Sequence, residues 1–348
     1  MLVLRQGVVT ELGPLAAGEQ QLVVDVEGLG ARVACADTAL VGRCELGDDV
    51  VINTQAVDLE LGSGGFDVVH VNLTRGLNAE GTEGAHVMKL NYSSLQHAVL
   101  PVEDGDSSLP SPRPVGVCFL HGQLAPLAWA FAQAGGDSRL GYVQGSGGAL
   151  PGGHSRTVSQ LRADGLLAGF ITAGASYGGE LEAITLAGAV AHGISELGWD
   201  AVVCAPGPGI IGSGSRLGHG GMAALDAAHT ALALGCPVVI APRMSGQDER
   251  TRHQGCSHHT QTVLELLLAP VTVASPPGAA DTIELGCGHK VVELDVDLDG
   301  YKASGLPATT MGRSIDDDPS FFAAALAAGT LLATTYREPE AAHSALQR

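Results

Sequence analysis

Between Val115 and Ala274 the chain alternates between two hydrophobic periods, and this restricts its fold more than any other feature. Six apolar runs of strand length, Val115–Leu120, Arg139–Gln144, Leu166–Ala173, Ala201–Ala205, Pro237–Ala241 and Val271–Ala274, are separated by five stretches of helical spacing. The helical candidates are Leu124–Gln133, Arg156–Asp164, Glu180–Leu197, Met222–Leu234 and Thr260–Leu268. In the third, Leu181, Ile184, Ala187, Ala191 and Ile194 recur at the spacing of one helix face. A strand reached through a crossover helix lies parallel to its predecessor, and the crossover is right-handed. Repeated strand–helix units therefore predict an α/β fold, a doubly wound and mostly parallel sheet between helical layers. Aromatics are only 4% of residues, so the core must rest on Val, Leu, Ile and Ala, which suit a sheet buried on both faces.

The flanks follow other rules. Leu2–Val9, Gln21–Glu27, Ala31–Ala36 and Asp49–Ile52 are short strands parted by turn signals at Gly13-Pro14, Gly28-Leu29-Gly30 and Gly47-Asp48. Residues 1–60 are expected to form a small all-β domain, a barrel or sandwich of about five strands. Residues 61–110 bridge to the next domain through strands at Phe66–Leu73 and His86–Leu90 and a Pro/Ser-rich linker, Asp106–Pro114. In Phe66–Leu73, alternation puts Val69, Val71 and Leu73 on one side and His70 and Asn72 on the other, as a solvated face or a polar wall. The α/β domain spans 111–330. Within it, Thr282–Leu285 and Lys290–Val296 bracket Gly286-Cys-Gly288 like a hairpin, and Asp318-Pro319 opens a last helix, Ser320–Ala328, with Asp318 as N-cap. Residues 331–348 are expected to be a loose tail.

A net charge of −19 argues against general nucleic-acid or anionic-membrane partners, because polyanions are repelled. Seven cysteines without a C-x-x-C pair suit buried thiols in a reducing compartment. No basic-then-apolar leader opens the chain and no uninterrupted apolar run reaches the ~18 residues of a membrane span, so the cytoplasm is the expected location.

Open parallel sheets bind ligands beyond the carboxyl ends of their strands. The loops to inspect are His121–Gln123, Gly145–His154, Gly174–Glu180, Pro206–Gly221 and Arg243–His259. The fourth contains a formal G-x-G-x-x-G, Gly207–Gly212, but its helix starts late and the acidic residue expected downstream would be Asp226, inside that helix. It also holds Gly209-x4-Gly214, followed by Ser215-Arg216 where a phosphate-binding loop has Lys-Ser/Thr. Neither nucleotide motif is met. What remains is a glycine loop leading to a helix N-terminus, which favours an anion, with Gly207, Gly209, Gly212, Gly214 and Ser215 as its cradle. A turn that serves only chain geometry is the alternative.

The fifth loop concentrates Arg243, Arg250, Arg252, His253, His258 and His259 in a chain with 18 lysines and arginines in all. Arginine's planar fork suits phosphate or carboxylate, while Asp248 and Glu249 partly balance the charge. His258 or His259 is the expected acid–base group, and Ser257 or Thr260 the cap of the following helix. The expected partner is a small anionic, phosphate-bearing molecule; no cofactor is identified.

A second constellation competes. Gly174-Ala175-Ser176-Tyr177-Gly178 is a G-x-S-x-G between a predicted strand and a predicted helix. Val117-Cys-Phe-Leu-His121-Gly122 resembles the segment preceding the oxyanion loop of α/β-hydrolases, and Ser176, Asp248 or Glu249, and His289 follow in that family's order. A third possibility is a non-enzymatic homo-oligomer packed through alanine-rich helices. Metal patterns are incomplete. Asp295-x-Asp297-x-Asp299-Gly300 starts like a calcium loop, but Leu306 stands at the bidentate glutamate position. His253, His258 and His259 match no closed zinc spacing, so no metal ligands are assigned. Cys256 is a weak nucleophile candidate among basic neighbours.

The strings GSGGFDVVHVNLTRG (62–76), HVMKLNYSSLQHAVLPVE (86–103), HGQLAPLAWAFA (121–132), GWDAVVCAPGPGIIGSGS (198–215) and LGHGGMAALDAAHTALALGCP (217–237) resemble those of an uncharacterised bacterial family, number 3866 of the domain-of-unknown-function series. The resemblance implies a stand-alone cytoplasmic protein. It carries no assigned activity, so it transfers no residue roles.

Overall fold

Five strands close into a barrel near the N-terminus of the computed structural model, which describes residues 1–61, 64–105, 109–286 and 288–337. They are β1 (Leu4–Ala16), β2 (Glu19–Val26), β3 (Gly30–Asp37), β4 (Asp49–Asn53) and β5 (Asp67–Asn72), paired in the order β1-β2-β3-β5-β4 with β4 returning to β1. One-turn helices α1 (Thr38–Val41) and α2 (Gln55–Asp58) join β3 to β4 and β4 to β5. The fifth strand thus comes from the stretch read as a bridge. Alternating residues of β2, Leu22, Val24 and Val26, fill the interior with Val9, Val50, Ile52 and Val69.

In β5 simple alternation fails. Val51 pairs with Val71 and Ile52 with Val69, so His70 is an extra residue, a bulge that reverses the faces beyond it. Asn72 turns inward and donates to Asp48 Oδ2 at 2.8 Å, while Leu73 is exposed. A separate antiparallel pair, β6 (Val87–Lys89) and β7 (His97–Val99), follows.

All six apolar runs enter one sheet. Its elements are β8 (Val115–Cys118), α3 (Leu124–Gly135), β9 (Leu140–Gly145), α4 (Arg156–Ala163), β10 (Gly169–Ala173), β11 (Leu181–Ala183), α5 (Leu186–Ser195), β12 (Ala201–Pro206), α6 (Ala223–Ala233) and β13 (Val238–Ala241). A two-residue pair, β14 (Met244–Ser245) with β15 (Gly255–Cys256), then precedes α7 (His258–Leu266), β16 (Thr272–Ser275), β17 (Lys290–Glu293), α8 (Leu298–Ala303) and α9 (Pro319–Arg337). The strand order is β11-β10-β9-β12-β8-β13-β16-β17, and every ladder is parallel. From β8 the chain runs to one side, and from β12 it passes β8 to the other, so its direction reverses at the sheet centre. Trp199 supplies aromatic bulk there. It lies where a Cβ on Gly141 would come within 1.8 Å, and one on Gly193 within 2.2 Å, of its ring, so only glycine fits at either place.

The exceptions have local causes. Leu181 and Ile184 precede the third helix instead of lining it. Leu181–Ala183 pairs as an edge strand with Ile171–Ala173, and Thr185 starts α5 by accepting from Gly188 N at 2.9 Å. Thr282–Leu285 is not a strand, because Ala280–Thr282 forms a 3-10 turn, and Lys290–Glu293 extends the parallel sheet in place of a hairpin. The last helix does begin at Pro319. The Asp318 carboxylate, however, is buried on Ser245 Oγ (2.5 Å), Gly246 N (2.9 Å) and Arg313 Nε (3.1 Å). That helix continues well past Ala328, and packs on α3, β13 and β16. Pro319–Tyr336 is long and apolar enough to cross a membrane, but 67% of it is buried in the fold, the signature of a core helix. Cys287, linker residues 106–108 and the tail beyond Arg337 lie outside the described residues; the other six cysteines are buried and free.

The chain divides into two units, Met1–Leu100 with Gly153–Arg156, and Pro101–Gly152 with the residues from Thr157 on.

Candidate functional site

The glycine loop after β12 is a finger closed on itself. Gly207 is buried, where a Cβ would stand 2.2 Å from Ala149 O, and a Cβ on Gly148 would stand 2.1 Å from Gly207 O. Glycine here lets the loops after β9 and β12 touch backbone to backbone. Farther out, Ser213 N donates to Gly218 O and Gly220 N to Ile211 O, both at 2.7 Å, and Gly218 N donates to Ser215 Oγ at 3.0 Å. Gly209, Gly212, Gly214 and Ser215 are exposed along the finger. These donors are used within the loop's own turns. What the finger delivers is His219, which is buried and pairs with Gly212 across its base.

The Arg/His loop closes onto the same place. Arg243 N donates to Thr260 Oγ1 (2.9 Å) and Ser257 N to Arg243 O (2.8 Å). Ser257 caps α7 by accepting from His259 N at 3.2 Å, and the same Oγ lies 2.7 Å from His253 Nδ1. Four imidazoles are thereby packed together. His219 stacks on His259 with ring centres 3.6 Å apart, and is 5.4 Å from His258. His253 lies 4.8 Å from His258 and 5.0 Å from His259. The two loops therefore meet through His219, which sequence reasoning passed over. Its only signal was a histidine directly before Gly220-Gly221 at a helix start.

Arg243, only 2% exposed, sits beside the rings with Nη1 3.0 Å from His259 Nδ1 and Nη2 3.5 Å from Asp248 Oδ2. Arg250 reaches the Asp248 carboxylate through Nε and Nη2, each at 2.9 Å, and Arg313 Nη2 lies 3.8 Å from it. Three guanidiniums thus converge on one buried carboxylate, while Arg252 remains exposed. Arg250 holds Asp248 far below the usual carboxylate range. Burial first, and then the charge of Arg243, lowers His253 to about 3 and His259 to about 2. Burial also lowers His219 and His258. At neutral pH the rings are uncharged beside charged arginines. Four buried atoms here have no hydrogen-bond partner: Arg243 Nε, Arg313 Nη2, His219 Nδ1 and His258 Nε2.

The hydrolase constellation is not assembled in this way. Ser176 Oγ donates to Gly145 O at 2.8 Å, and the turn around it leads to the edge strand β11 instead of a helix. Gly174 and Gly178 have positive φ, whereas Ser176 does not. His289 accepts from Val271 N (3.2 Å) through Nδ1 and contacts Leu264 O (2.8 Å) through Nε2, so both ring nitrogens serve the backbone. Asp248 is committed to arginines. The calcium-like stretch is also absorbed locally, since Asp297 caps α8 by accepting from Gly300 N at 2.7 Å. Cys256 is buried, which pushes its thiol up to about 12.

A cavity of about 240 Å³ opens at the carboxyl ends of β9, β10 and β12, lined by Cys118, Ala173, Cys204, Ala227 and Thr230 among others. Its wall is mainly small and apolar, and none of the arginines or histidines above contributes to it.

The model of the family described as "Protein of unknown function (DUF3866)" matches residues 33–329. No curated protein and no solved structure matches the chain. The matched segment includes the finger, the Arg/His loop and Arg313, and with most of its length inside that match the chain belongs to the DUF3866 family.

Proposed function

We propose that the Arg/His centre binds a small anion carrying a phosphate or carboxylate group. The observation that carries this is Arg243 Nε, a buried guanidinium N–H left without an acceptor, together with Arg313 Nη2, whose ion pair with Asp248 at 3.8 Å is too long for a hydrogen bond. A buried charged donor without a partner is costly, and an anion supplies the missing acceptor together with charge. Charge balance supports the same ligand. Arg243, Arg250 and Arg313 pair with Asp248 and Asp318, so positive charge is in surplus at this place in a chain of net charge −19. Guanidinium forks bind such groups through paired, charge-assisted hydrogen bonds. The finger contributes by holding His219 against His259, and the half-buried His258 gives the site its more accessible edge.

A thermal-shift panel of phosphate, pyrophosphate, sugar phosphates and dicarboxylates on the full chain tests the proposal. At least one compound should raise the melting temperature saturably, by the equivalent of about 2.7 kcal/mol at a hundredfold excess over Kd. Arg313→Gln should abolish that shift. If no compound stabilises the wild type, or Arg313→Gln responds like it, the centre does not bind anions.

A further inference from the structure

We infer that His219, His258 and His259 form a site for one divalent transition-metal ion of the zinc class. One ligand atom from each residue lies within 4.8 Å of the others, a separation one ion can span with bonds of about 2.0–2.1 Å to nitrogen. The hydrogen bonding prepares the donors. His219 Nε2 lies 3.0 Å from Arg216 O and donates to it, which leaves the lone pair on Nδ1. That Nδ1 is buried without a partner, as is His258 Nε2. Backbone carbonyls that fix the tautomer of a ligating histidine in this way are a regular feature of metal sites. A Cβ on Gly221 would stand 3.0 Å from His219 Nδ1 and 3.3 Å from His259 Nδ1, so glycine keeps the space before both nitrogens open.

The donor set selects the ion. Imidazoles favour zinc, copper or nickel, whereas magnesium and calcium need oxygen ligands that this group lacks. Three protein nitrogens leave a fourth position for water or an exogenous ligand, as in catalytic rather than structural zinc sites. Arg243 opposes the ion, since its Nη1 donates to His259 Nδ1 and its charge repels a cation. Binding through Nδ1 must therefore exchange the guanidinium for the metal. The inference stands on imidazoles and does not depend on the anion reading, which stands on guanidiniums.

The full chain, stripped with EDTA and dialysed, is titrated with Zn²⁺ by calorimetry and with Co²⁺ by visible absorption. One ion per chain should bind, with the absorption of a four-coordinate cobalt site. His219→Ala and His258→Gln should each weaken binding by more than about 100-fold, beyond the 10–100-fold typical of a lost outer partner. Circular dichroism checks that both variants fold, and the half-buried His258 makes its variant the safer of the two. Arg313→Gln should bind zinc like the wild type, which separates this site from the anion reading. No stoichiometric ion in the wild type, or unchanged affinity in both histidine variants, overturns the inference.

Discussion

In the barrel unit Glu19, Cys35 and His154 bring an oxygen, a sulfur and a nitrogen within 4.8 Å of one another; in the α/β unit three imidazoles do the same. The surroundings make these groups chemically opposite. His154 lies 3.3 Å from Asp37 and 4.0 Å from Glu19, and Arg156 lies 3.9 Å from Glu19. Burial, followed by the Glu19 charge, pushes the Cys35 thiol up to about 12, so its sulfur keeps its proton. Around His219, His258 and His259, burial first and then neighbouring positive charge keep protons off the rings, which leaves the lone pairs of His219 Nδ1 and His258 Nε2 without a partner. Burial together with the sign of the neighbouring charge sets which of the two clusters holds its protons and which gives them up.

The sharpest way to break this contrast is acid. His253 and His259 have folded values of about 3 and about 2, against roughly 6.5 when unfolded. A depressed folded value means that the unfolded chain takes up protons first as the pH falls. The stability from keeping these rings neutral is therefore complete above roughly pH 6.5 and is lost on acidification toward the folded values. By about pH 5 the loss is about 2 kcal/mol per ring, about 4 kcal/mol together. Urea unfolding of the α/β unit in the full chain should show this loss, and His253→Gln/His259→Gln should remove most of it. An acid-insensitive wild type would mean that the rings protonate freely.

Next in size is the loss of the shared carboxylate. Asp248→Asn leaves Arg243 buried without its counter-charge and should cost about 3 kcal/mol near neutral pH, measured by thermal unfolding. Asp248 is depressed in the fold, so its contribution is present above roughly pH 4 and disappears below; the variant and wild type should converge in acid. The barrel counterpart, Asp37→Asn, should cost less than about 1 kcal/mol. Unlike Asp248, Asp37 is not the counter-charge of a buried guanidinium, and asparagine still caps α1, where Asp37 accepts from Ala39 N at 3.0 Å. Equal costs would erase the distinction between the two groups.

These contrasts were only partly legible in the sequence. The central strands were readable because a strand buried on both faces is apolar throughout, as in Ala201–Ala205 and Pro237–Ala241. The edge strand Leu181–Ala183 was not, since three residues carry no period and Leu181 and Ile184 also fit a helix face. Arg243–His259 stood out because basic residues are scarce. His219 did not, because its role depends on a finger that sets it 3.6 Å from His259, a contact no local pattern encodes. Ser176, Asp248 and His289 followed a catalytic order, but chain order carries no information about which backbone groups occupy the His289 nitrogens.

A similarly small effect falls on the barrel cysteine, and it divides the two clusters most directly. Cys35 is 2% exposed and its protonated sulfur is a poor ligand, so its role is to fill the space beside Glu19 and His154. Cys35→Ala removes only that packing and should cost about 1 kcal/mol by the usual value for a small buried apolar group. Zinc stoichiometry and affinity should stay unchanged, because the imidazole site is intact in the other unit. If Cys35→Ala instead removed the bound ion while His219→Ala kept it, the carboxylate-rich group would be the metal centre. The charge argument would then fail at its first step, since a thiol that burial and Glu19 hold protonated would have given up its proton to a metal.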